Sequence, residues 1–147
     1  MHAFRFPLAK VLHWRRLQLE LEENKLKRLT AALAQVDRTG AELGAAAVRV
    51  EMQVRSWSPL AGRDLTALAG FRMHVRDQER RLAARRAECV RQITAQQTAM
   101  LEARRRCRLL ERLEERQLRE WRLLSSREIE QLAAESHLAG LARRRLP

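Results

Sequence analysis

From Leu12 onward an apolar or small residue returns at every seventh position: Leu12, Leu19, Leu26, Leu33, Gly40, Ala47 and Val54. Leu29, Val36, Leu43, Val50 and Trp57 stand three residues after the last five of these. Alternating steps of three and four put one narrow apolar face along a helix, the face that packs against a second helix in a coiled coil. In the first two heptads the second position is taken by Arg15 and Glu22. The seam is therefore expected to be weakly zipped near its start and fully apolar only from Leu26. Gly40 and Gly44 fall inside the pattern, where each costs about 1 kcal/mol relative to alanine, so a close helix approach or a soft point is expected there.

What interrupts the pattern is as informative as the pattern itself. Proline occurs only at Pro7, Pro59 and Pro147. The run Ser56-Trp57-Ser58-Pro59-Leu60-Ala61-Gly62 joins a proline, a glycine and two serines, and Pro59 biases Ser58 away from helical geometry. A turn is expected over about 56–62. After it, Leu65, Leu68, Val75, Leu82, Cys89, Ile93, Met100, Ala103, Cys107 and Leu110 resume the same spacing, with Arg72, Glu79, Arg86 and Gln96 as polar interruptions. The fold implied is all-α: a long two-helix antiparallel coiled-coil hairpin with a C-terminal helical overhang. Helix one is expected over about 8–55 and helix two over about 63–139, followed by a frayed tail, all within a single domain.

The helices are unequal in length. If Val54 pairs near Leu65, Leu8 lies opposite a residue close to position 111. Roughly 34 residues of helix two, about 50 Å, then project past helix one. Along that projection Leu118, Trp121, Ser125, Ile129 and Leu132 keep a helical spacing. A lone amphipathic helix of this kind gains stability by finding a partner.

Composition agrees with a seam rather than a broad core. Aromatic residues are 4% of the chain, with no Tyr, while the apolar residues are mainly Leu and Ala. The formal net charge is +12, from 30 basic and 18 acidic residues, and lysine is confined to Lys10, Lys25 and Lys27. An acidic partner or surface fits such a balance, although most of these charges belong to a solvated face. Cys89 and Cys107 lie far apart on the apolar stripe and read as reduced seam residues of a cytoplasmic protein. No run reaches the roughly 20 apolar residues of a membrane span, and the N-terminal stretch carries no signal-peptide core.

The chemistry of an enzyme is not legible. Gly40, Gly44, Gly62, Gly70 and Gly140 are scattered and form no phosphate-cradling loop, so no nucleotide cofactor is expected. His2, His13, His74 and His137 have no second ligand at helical spacing, which argues against a metal. Ser125 and Ser126 have no enclosing fold to bring a base beside them. Basic clusters occur at Arg80-Arg81 with Arg85-Arg86, at Arg104-Arg105-Arg106 with Arg108, and at Arg143-Arg144-Arg145. Glu111, Glu114 and Glu115 follow the second cluster directly and would repel phosphates, so specific nucleic-acid binding is not expected. Nucleic acid or an anionic membrane surface remains the alternative target of the excess charge, with Arg143-Arg144-Arg145 the best membrane-surface candidate.

The opening Phe4-Arg5-Phe6-Pro7-Leu8-Ala9-Lys10-Val11-Leu12-His13-Trp14-Arg15 resembles the start of flagellar export proteins of the FliJ family. Leu110-Glu111-Arg112-Leu113-Glu114-Glu115-Arg116, then Trp121, Arg127-Glu128 and Leu132, is similar to that family's charged C-terminal region. Chain length, the single turn and the longer second helix agree, and the equivalent stalk proteins of virulence type III secretion share these features. The chain departs from the family in carrying Ala133-Ala134 where an acidic Asp-Glu pair is common. The resemblance implies a non-enzymatic cytoplasmic stalk, peripheral at the membrane, whose helix ends enter the hexameric ring of the flagellar export ATPase. It also implies contact with the cytoplasmic domain of the export-gate protein FlhA, and it leaves room for export chaperones. By the same resemblance the ATPase-facing residues are Leu8, Val11, Leu12, Arg15, Trp121, Glu128 and Leu132. The gate-facing set lies nearer the turn: Leu43, Ala47, Val50, Leu68, Phe71 and Val75. All of these but Phe71 also fall on or near the seam, which leaves Phe71 the more exposed candidate.

Overall fold

A computed structural model describes residues 3–59 and 61–145. His2, Leu60 of the turn, Pro147 and the side chain of Arg145 lie outside the described residues. Two α-helices make up the fold, α1 (Ala9–Arg55) and α2 (Gly62–Arg145), and they pack against each other as an antiparallel hairpin. No strand occurs among the described residues. Gly62 is the first residue of α2 rather than part of the turn. The end of α2 expected near 139 comes instead at Arg145, because Gly140 alone, without a proline behind it, does not stop a helix.

Each helix end has a local cause. Pro7 precedes α1, where its fixed φ suits the first turn, and Ala9 N–H donates to the Phe6 carbonyl at 3.2 Å. At the far end Ser56 N–H reaches the carbonyls of Met52 and Gln53, and the Ser56 hydroxyl donates to the Gln53 carbonyl at 2.6 Å. Carbonyls that the helix would leave orphaned are thus satisfied. At the start of α2 the Asp64 carboxylate accepts from Ala61 N–H at 3.1 Å, the reciprocal half of a capping box, and places an acid in the first turn.

The packing divides into two compact units, one made of Met1–Leu19 with Glu102–Pro147 and the other of Glu20–Leu101. In the central unit Val36, Val54, Leu68 and Val75 are buried, and Leu26, Leu29, Leu33, Leu43, Leu82 and Ile93 are half-buried, as a heptad seam requires. Three of the polar interruptions, Arg72, Arg86 and Gln96, are bridged across the seam. Gln96 donates to the Glu22 carbonyl at 3.0 Å and to its carboxylate. Arg86 meets Asp37 at 2.9 Å, and Arg72 forks onto the two oxygens of Glu51. At the turn the seam opens. Trp57 and Leu65, both expected in it, are 45% and 52% exposed, since they flank the loop and no further turn of helix lies beyond to cover them. Gly40 and Gly44 mark no close approach: a Cβ at either would meet nothing within 4 Å.

In the terminal unit the expectation of a weakly zipped start is overturned. Leu12, at 2% exposed, is the most completely buried large side chain of the described residues, and it clusters with Phe6 and Cys107. Phe4, Leu19, Leu110 and Leu113 close around them. The reason lies before the helix, where Phe4 and Phe6, outside the heptad, pack onto the cluster of Leu12 and Cys107. Burying Leu12 and Phe6 contributes roughly 2–3 kcal/mol each.

Candidate partner-binding surfaces

The terminal unit gathers some of the ATPase-facing candidates and exposes fewer: Leu8 and Val11 are exposed, Arg15 and Trp121 half-buried and Leu12 buried. Phe4 packs on Trp121 with ring centroids 6.1 Å apart and planes tilted by 53°, within the contact range of aromatic pairs. Arg16 donates to Glu111 at 3.2 Å, so the partner expected for Leu8 is in fact two helical turns deeper into α1. Helix α2 is consequently covered as far as Trp121 and Ser125, further than the length argument expects. Leu12 belongs to the buried cluster and so supports the surface from beneath. Leu8 and Val11 are exposed on the neighbouring face, and the Arg15 guanidinium lies 4.8 Å from the Trp14 ring.

Beyond Ser125 every side chain through Arg144 is exposed. Glu128 and Leu132 are therefore not gathered against Leu8 or Val11. Leu132, 65% exposed, lies about 16 Å along the helix axis past Trp121. Ile129, Leu138 and Leu141 share that exposure. The overhang is thus real but short, about 30 Å rather than 50 Å.

Two residues absent from the candidates belong with this region. Trp14 and Leu17 are both exposed on the outer side of α1, one helical step apart. Their three-residue spacing was visible in the sequence, but a search that follows one seam passes over a second stripe beside it.

In the central unit the gate-facing candidates line two shallow depressions that share Phe71. Val50, Leu68 and Phe71 border the first with Val54, Trp57, Asp64 and Ala67. Ala47, Phe71 and Val75 border the second with Glu51, Arg72, Arg76 and Glu79. Leu43 is half-buried and lies in neither. Phe71 is itself half-buried, so it forms the ridge between two hollows rather than standing free. The Arg72 fork holds the Glu51 carboxyl below the usual carboxylate range, and the bond from Gln96 does the same to Glu22. Burial pushes the Cys107 thiol up, with Glu111 adding to the effect, so this cysteine is a neutral packing residue and not a poised nucleophile.

No group of three or more metal-binding side chains occurs among the described residues, and no helix there is long and apolar enough to cross a membrane. Compared with known proteins, the chain matches no family model, no curated protein and no solved structure. What the fold defines is a class, the two-helix coiled coil with uncovered apolar surface at its terminal unit and a ridged hollow near its turn.

Proposed function

We propose that this protein is a stalk or adaptor of flagellar type III protein export, acting by contact alone at the cytoplasmic side of the membrane. In this reading the terminal unit docks in the ring of the export ATPase, and the Phe71 ridge takes the cytoplasmic domain of the export gate. One observation carries it: α2 continues for about 30 Å past its last cover with Ile129 and Leu132 in solvent on the face that runs on from Trp121. An isolated helix with such a face is marginal in water, and seating it in a ring would bury that face. The resemblance of the opening Phe4–Arg15 segment and of Leu110–Arg116 supplies the identity of the ring. The hollows beside Phe71 supply a second, separate contact.

The test is the ATP hydrolysis rate and oligomeric size of the export ATPase from the same organism, with and without the full chain. Stimulated hydrolysis and a hexameric complex are expected, both lost when the chain is cut after Ser125 while helicity in the remainder persists. Phe71→Ala should leave stimulation intact and weaken capture of the gate domain. An ATPase indifferent to the full chain would overturn the reading.

A further inference from the structure

The outer face of α2 in the terminal unit carries charge that the chain does not answer. Arg105, Arg108, Arg112, Arg116 and Arg119 follow steps of three, four, four and three, so they fall on one line along the helix. The line is about 21 Å long. All five side chains are exposed. Arg116 has Glu120 at 3.9 Å, and among the described residues the other four make no ion pair or hydrogen bond.

The acids expected to spoil this cluster for phosphates are mostly turned away from it. Glu111 is half-buried and held by Arg16, Glu114 is half-buried, and Glu102 is taken by Arg106 on another face. Glu115 borders the line at the rim of the groove it shares with Leu109, Arg112, Arg116 and Arg119, and Glu120 lies beside Arg116. Leucines complete the stripe. Leu109 lies within it, 58% exposed, and Leu123 extends it by one turn at its C-terminal end, equally exposed.

We propose that this face docks on an anionic lipid bilayer, with the five guanidiniums at the headgroup phosphates and Leu109 and Leu123 reaching toward the acyl boundary. A straight row of cations on a rigid helix meets a plane with every member at once. The phosphates of a duplex curve away from such a rod within about half a helical turn and offer nothing to two exposed leucines. Arginine suits the role because its stem lies along apolar surface while its planar head stays with phosphate oxygens. The membrane contact is thus assigned to the middle of α2 and not to Arg143-Arg144-Arg145, and it does not depend on the export ATPase being a partner.

Flotation of the full chain with vesicles of phosphatidylcholine, with and without phosphatidylglycerol, tests this. Binding should require phosphatidylglycerol. The triple variant R108Q/R112Q/R116Q, altered only at exposed side chains and checked for retained helicity, should partition on the order of a hundredfold more weakly, at about fivefold per arginine. Leu109→Ser should weaken binding further at fixed charge, whereas R143Q/R144Q should keep most of it. The assignment is overturned if the triple variant floats like the parent, if Leu109→Ser has no effect, or if a DNA duplex is retained where phosphatidylglycerol vesicles are not.

Discussion

Leu12 and Val36 both face the seam from the same helix, at the first and second apolar positions of its heptads, yet what surrounds them differs. Leu12 sits under two phenylalanines from the segment before α1 and against Cys107, a knot with cover on several sides. Val36 sits in a seam one residue wide, with the Asp37–Arg86 bridge beside it. In the central unit polar bridges such as Glu22–Gln96 and Glu51–Arg72 take up the positions where the apolar repeat lapses. The terminal unit has the Arg16–Glu111 bridge, but it concentrates apolar side chains at its knot and leaves others, from Leu8 to Leu132, in solvent. Burial and exposure of apolar surface in one small region are what a docking end requires, since the knot must hold shape while the outer residues wait for a partner.

The sharpest way to break this contrast is to hollow out the knot. Leu12→Ala should cost about 3 kcal/mol, because a fully enclosed leucine leaves a cavity that its neighbours fill only in part. Val36→Ala should cost less, on the order of 1–2 kcal/mol, since a thin seam relaxes and water already reaches its edges. Urea unfolding followed by circular dichroism measures both. Thiol labelling gives a second readout: Cys89, half-buried, should react well before Cys107 in the parent, and Leu12→Ala should bring Cys107 forward. Equal losses at the two positions would erase the distinction between knot and seam.

The same contrast marks what could be read from the sequence. Leu26 through Val54 were legible because a seven-residue period survives wherever one face meets one neighbour, and the two helices and their turn follow from that period with Pro59. Phe4 and Phe6 were not legible as core, because they precede the helix and belong to no period. The Glu22–Gln96 and Asp37–Arg86 bridges were visible only as lapses in the seam, since pairing across helices depends on a register that the repeat does not fix. The arginine line escaped for a related reason. Read as a run, Arg104 to Arg108 is followed by Glu111, Glu114 and Glu115, and only the helix turns Glu111 and Glu114 toward other faces.

A smaller change should sharpen the central unit rather than damage it. Gly40 and Gly44 lie in open helix, and a Cβ at either meets no atom within 4 Å. Gly40→Ala and Gly44→Ala should each stabilise by up to about 1 kcal/mol, through helix propensity alone, and should add in the double variant less any shared effect. The rise in denaturation midpoint without a change in slope would show it. A loss of stability at either site would mean that the two helices approach more closely there than the open space around those residues allows.

The smallest effect separates the bridges from the knot by pH. Glu51 has its folded pKa lowered, first through the hydrogen bond from Arg72 and then through the charge of Arg72. A carboxylate lowered in this way contributes stability that is fully present above its unfolded value, about 4.3, and is lost as the pH falls through the lower folded value. Between neutrality and about pH 5 the bridge should therefore be constant. Below that it should fade while Leu12, Phe6 and Cys107 are unaffected. Glu51→Gln should lower the melting temperature slightly at neutral pH, and the gap to the parent should close in acid. Because the pair is exposed, added salt at neutral pH should narrow the same gap. A gap that stays constant from neutrality into acid would mean that Glu51 acts by packing its stem against the seam, and that the central unit is held as apolarly as the knot.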